Sequence, residues 1–131
     1  MVEIVERNSS KDNIIKVVLL GESGVGKTSI IQRFILDKFE SYAIPTYGAS
    51  SCLKSYKIDE EEIIFDIWDT AGQERYRGLA RQFYNNAQIG ILVYDITDRN
   101  SFKELKSYWY KEIVDNSKKD ISILILYNIM I

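Results

Sequence analysis

Histidine is absent from the 131 residues, which excludes imidazole general acid–base chemistry and histidine metal sites. The single cysteine, Cys52, excludes an internal disulfide and fits a reducing compartment. The single proline, Pro45, argues against long disordered tracts. No apolar run reaches the ~20 residues of a membrane helix. The longest, residues 121–131, reads as beginning with a buried strand. Met1-Val2-Glu3 carries no myristoylation glycine, and no segment resembles a secretory leader. The net charge is −2, with both signs mixed along the chain and no basic stripe, so no nucleic-acid surface is expected.

The length suits one domain with one core. Residues 1–13 are polar and read as a flexible tail, and residues 14–131 as the domain. Residues 14–20 form a β-branched run bounded by Gly21, the pattern of a buried strand. Residues 27–36 place Ile30, Ile31, Phe34 and Ile35 at helical spacing. Residues 50–58 and 63–69 flank Asp59-Glu60-Glu61-Glu62 and read as a hairpin, with the acidic run as a solvated turn. Residues 75–86 read as helix and 89–94 as strand. Ser101 with Glu104 is a capping-box pattern opening a helix to about residue 116, and residues 121–126 read as a last strand. Apolar strands alternating with helices predict an α/β fold, a mostly parallel sheet with helices on both faces. Such sheets bind ligands at the carboxyl ends of their strands, where the motifs fall. No internal repeat or low-complexity segment is present.

Gly21-Glu22-Ser23-Gly24-Val25-Gly26-Lys27-Thr28 matches G-x-x-x-x-G-K-[ST] in full, after a predicted strand and opening a predicted helix. Glycines let such a loop curl so that backbone N–H groups and the helix N-terminus face a phosphate. Lys27 is placed to reach the β- and γ-phosphates, and the Thr28 hydroxyl to bind Mg²⁺. Asp69, ending the third apolar run, fits a carboxylate that helps hold Mg²⁺. By itself that residue is a weak signal, since many strands end in Asp.

Asp69-Thr70-Ala71-Gly72-Gln73-Glu74 adds a family pattern. With residues 68–76 and Leu92-Val93-Tyr94-Asp95-Ile96-Thr97, the chain resembles the Rab family of small GTPases over roughly residues 16–126. Gly48-Ala49 after Pro45-Thr46-Tyr47 is similar to the endosomal branch. The resemblance implies a P-loop G domain, incomplete at its C-terminus, that binds GTP or GDP with Mg²⁺ and acts as a slow GTPase switch in vesicle trafficking. It implies nucleotide contacts from Glu22, Ser23, Gly24, Val25, Gly26, Lys27 and Thr28. It further implies that Thr46 closes on Mg²⁺ and the γ-phosphate, that the Gly72 N–H touches the γ-phosphate, and that Gln73 is the catalytic residue that orients the attacking water. Phe39 would lie near the guanine, and Asn128 would begin the base-binding motif. Exchange factors, GTPase-activating proteins and Rab effectors would read the switch regions of a cytoplasmic monomer.

The chain departs from the family in three places. Where the family has Asn-Lys-x-Asp, residues 128–131 are Asn128-Ile129-Met130-Ile131. Losing the guanine-binding carboxylate costs roughly 1.5–3 kcal/mol per hydrogen bond. The family's final strand and C-terminal helices are not matched, and neither are its prenylated cysteines, so no membrane anchor is expected in this chain. In the aromatic triad between the switches, Trp68 fits and Phe83 replaces tyrosine, while Ser51 stands at a phenylalanine position. Two readings therefore stand beside the switch: a truncated, nucleotide-deficient fragment without activity, and a P-loop protein acting on adenine nucleotides. Cys52 reads as a strand residue, and Tyr108, Trp109 and Tyr110 as helix anchors or partner-facing aromatics.

Overall fold

The structure, a computed structural model, describes residues 13–36, 49–70, 77–117 and 120–129. Its strands are β1 (Ile14–Leu20), β2 (Ala49–Ile58), β3 (Glu61–Thr70), β4 (Ile89–Asp95) and β5 (Ser122–Asn128). Its helices are α1 (Lys27–Leu36), α2 (Arg77–Tyr84), α3 (Arg99–Glu104) and α4 (Tyr110–Asn116), with a π-helical stretch, Leu105–Trp109, joining the last two.

One sheet has the order β2-β3-β1-β4-β5. β1 runs parallel to β3 and β4, and β4 runs parallel to β5. Only β2 is antiparallel, as a hairpin partner of β3. This is the expected α/β P-loop arrangement. Successive β1 side chains alternate between two cores. Val17 and Leu19 pack with Val25, Ile31, Ile67 and Val93. Val18 and Leu20 pack with Tyr84, Leu92, Leu105, Trp109 and Ile113 on the opposite face. The register sets Leu19 beside Asp69 and Asp95 beside Asn128, so the motif-bearing strand ends share one rim.

Three local expectations are corrected. The hairpin turn is only Asp59-Glu60, both with positive φ (49° and 68°), while Glu61 and Glu62 already pair in β3. Two left-handed residues close a tight hairpin, so a four-residue turn is not needed. The helix after β4 does not start at Ser101. Asp98 is the N-cap, its carboxylate accepting from the Asn100 N–H at 3.0 Å. Ser101 is buried, and its hydroxyl donates to the Asp98 and Asp95 carbonyls. Glu104, the supposed capping partner, is bonded to Arg77. β5 is not a buried strand either: it is an edge of the sheet, and Leu124 and Ile125, on opposite faces, are 53% and 55% exposed.

The π-helical stretch has a packing reason. Ser101, Leu105, Trp109 and Ile113 are all buried and recur every four residues. An α-helix would rotate such a row by about 40° per step. The wider π turn, in which the Tyr110 N–H donates to the Leu105 carbonyl, keeps the row on the core.

Candidate nucleotide site

β1 ends in the glycine-rich loop because Gly21 must take φ +151° against β4. A Cβ there would meet the Val93 carbonyl oxygen at 2.2 Å. Gly26 also sits at positive φ, +99°, immediately before α1. Its carbonyl accepts from the Ile30 N–H at 2.9 Å, so the loop runs directly into the helix.

Lys27 is buried, and its Nζ donates to the carbonyls of Gly21 and Glu22 at 2.8 and 2.7 Å. The ammonium is thus held over the curl of the loop rather than extended to solvent. Burial lowers its pKa to about 8, a shift only partly opposed by Asp69 and Glu22. An anion bound in the loop would supply further negative charge to a lysine already desolvated.

The Thr28 hydroxyl donates to the Asp69 carboxylate, joining the start of α1 to the end of β3. Asp69 is held in place from its neighbour, since the Thr70 hydroxyl donates to the Leu19 carbonyl at 2.6 Å. A hydroxyl and a carboxylate meeting beside a phosphate loop form a hard oxygen pair that fits Mg²⁺. Among the described residues no three His, Cys, Asp or Glu side chains cluster for a metal. Asn128, on the neighbouring rim, donates from Nδ2 to the Val25 carbonyl at 3.3 Å.

The structure therefore gathers Glu22, Ser23, Gly24, Val25, Gly26, Lys27, Thr28, Asp69 and Asn128 at one rim. Phe39, Thr46, Gly72 and Gln73 lie outside the described residues. The Glu22 carboxylate has its hydrogen-bond partners outside the loop. It pairs with Arg77 at 2.5 Å and accepts from the Trp109 indole N–H at 3.0 Å. Arg77 also reaches Glu104 at 3.1 Å and lies over the Tyr108 ring at 4.3 Å. Burial opposes the Arg77 charge, but the Glu22 and Glu104 carboxylates outweigh it and raise the pKa. Sequence reasoning missed Trp109 and Glu104 as neighbours of the loop. The available signal was a helix tryptophan, whose N–H needs a partner when buried.

The model of the Ras family matches residues 16–130. The chain belongs to the Ras family. Among Ras-family relatives, GTP-binding protein YPT53 of Saccharomyces cerevisiae is 46% identical over 116 residues, covering 88% of this chain and 52% of that protein. GTP-binding protein ypt5 of Schizosaccharomyces pombe is 42% identical over 126 residues, covering 92% of this chain and 59% of that protein. Within the Ras family the chain falls with the Rab GTPases, and its likeness to these two fits the endosomal branch. The chain spans between half and three-fifths of the length of these relatives.

Proposed function

We infer that this chain is the phosphate-binding part of a Rab-type switch that binds GTP and GDP with Mg²⁺ and hydrolyses GTP slowly. The observation that carries the reading is the joined pair of Lys27 over the Gly21 and Glu22 carbonyls and Thr28 on Asp69. Lys27 and the loop would bind and orient the β- and γ-phosphates. Thr28 and Asp69 would hold Mg²⁺, which when bound neutralises charge on those phosphates. Thr46 and Gly72 would close on the γ-phosphate and Gln73 would orient water, so that hydrolysis releases both loops. Exchange factors, GTPase-activating proteins and effectors would read that change during vesicle trafficking. Trp68 and Phe83, stacked with ring centroids 5.0 Å apart, support an aromatic patch for such partners, with Ser51 paired opposite Trp68.

The test is titration of a fluorescent guanine nucleotide with Mg²⁺. Lys27→Ala and Thr28→Asn should each abolish saturable binding, and unchanged binding in either variant would reject the reading.

A second reading rests on Ile129, which follows Asn128 and is 50% exposed where the family has lysine. With isoleucine also at position 131, phosphate binding survives but guanine selection weakens. Competition of the labelled nucleotide by GTP, XTP and ATP separates the two, because equal potency of all three would favour this second reading.

A further inference from the structure

A carboxylate in a phosphate loop is a liability, since it repels the ligand that the loop exists to hold. Glu22 is such a residue. Its carbonyl accepts from Lys27, so its side chain begins within the phosphate-binding curl. Its carboxylate is nevertheless engaged by two side chains from outside the loop. Arg77 at the first position of α2 and Trp109 at the end of the π-helical stretch hold the same oxygen, Oε1, at 2.5 and 3.0 Å. These contacts join residues 55 and 87 positions apart, so they owe nothing to local chain geometry.

Arg77 is itself fixed from several sides. Glu104 Oε2 takes a second contact at 3.1 Å, and the guanidinium lies 4.3 Å from the Tyr108 centroid and 5.3 Å from that of Trp109. The pair is mostly shielded, with side chains 16% and 20% exposed, where charge interactions are screened less than on an open surface. Four residues on, Arg81 bonds Glu112 through Nε at 2.7 Å with its own side chain 58% exposed. That second contact fastens α2 to α4 without touching the loop.

We propose that Arg77 is a positioning residue that, with Trp109, holds the Glu22 carboxylate off the phosphate position and so sets how long a nucleotide stays bound. The proposal rests on the nucleotide-site reading above and goes beyond it in naming the control. Removing Arg77 leaves Glu22 charged and less restrained beside the phosphates. Removing the Glu22 charge as well leaves nothing to repel. The two substitutions therefore oppose each other, whereas simple loosening of α2 gives no such reversal.

The experiment is the release rate of a fluorescent GDP with Mg²⁺ from the full chain, measured by chase with unlabelled nucleotide at low and high salt. Arg77→Gln should speed release about tenfold, and less at high salt. Glu22→Gln introduced into that variant should restore most of the slow release, and Arg77→Lys should retain part of it. Arg81→Gln is the control for α2 docking and should leave the rate unchanged. Release equally fast in Arg77→Gln with and without Glu22→Gln overturns the proposal, as does equal acceleration by Arg81→Gln or an unchanged rate in Arg77→Gln. If the unsubstituted chain holds no labelled GDP, the site reading fails and the proposal falls with it; binding with no reversal overturns the proposal alone.

Discussion

The Asn128 side-chain amide donates to the Val25 carbonyl at 3.3 Å, linking the end of β5 to the phosphate loop across 103 residues. Asn128 Oδ1 also accepts from the Ile129 N–H at 3.0 Å, so the side chain fastens two backbone segments at once. A neutral hydrogen bond is worth about 0.5–1.5 kcal/mol net. Asn128→Ala should therefore weaken nucleotide binding by roughly two- to tenfold. Titration with labelled GDP measures this, and an unchanged affinity would show that the loop is held in place by other contacts.

Lys27 predicts a pH dependence. Its folded pKa is about 8, against 10.5 for an open chain, chiefly because of burial. Within that window the unfolded chain binds more protons than the folded one, so folded stability rises with pH. The cost of burying the charge applies in full below the window and is relieved by roughly 3 kcal/mol across it. Lys16, also lowered by burial, acts in the same direction, whereas Cys52, Tyr84 and Tyr108, raised chiefly by burial, oppose the climb above their open-chain values of 9.0 and 10.0. Denaturant midpoints of nucleotide-free, Mg²⁺-free protein should climb as pH passes 8, and Lys27→Met should flatten the climb. An equal slope in both proteins would remove Lys27 as its source.

Catalysis gives a prediction outside the described residues. Gln73 is expected to aim water at the γ-phosphate, and an activating partner typically supplies roughly 10³–10⁵ in rate. Gln73→Leu should lose most of the stimulated hydrolysis while GTP affinity stays nearly intact, since the residue acts on the water rather than the bound ground state. Single-turnover hydrolysis with and without an activating protein checks it. Full stimulated activity in the variant would assign the water to another group.

The β2–β3 hairpin carries strain that can be relieved. Asp59 and Glu60 hold φ of 49° and 68°, the left-handed region. For a residue with a Cβ this conformation costs about 1–2 kcal/mol, and glycine adopts it freely. Glu60→Gly should raise stability by about 0.5–1 kcal/mol, after allowing for the extra freedom of glycine in the unfolded chain. Thermal denaturation decides it, and a lower midpoint would mean that the chain-entropy cost outweighs the relief.

Residue order alone made the phosphate loop legible, because its parts are contiguous. Gly21, Gly26, Lys27 and Thr28 lie within eight consecutive residues, and their chemistry follows from backbone freedom and charge at fixed spacing. The α/β class was legible for the same reason: residues 14–20, apolar but for Lys16, and 89–94 are runs that a covered sheet buries. Local patterns also misled where a distant residue competed. Ser101 and Glu104 have capping-box spacing, yet Asp98 caps the helix and Arg77 takes Glu104.

Folding alone joined Thr28 to Asp69, Asn128 to Val25, and Glu22 to Arg77 and Trp109. Each pairing crosses the sheet rim or passes between helices, where sequence separation carries no distance information. The direction of the Glu22 carboxylate is the clearest case. Its place in the motif follows from residue order, but its aim depends on a guanidinium and an indole N–H, and the π-helical turn that keeps Trp109 on the core exists only because the buried row Ser101–Leu105–Trp109–Ile113 packs as one face.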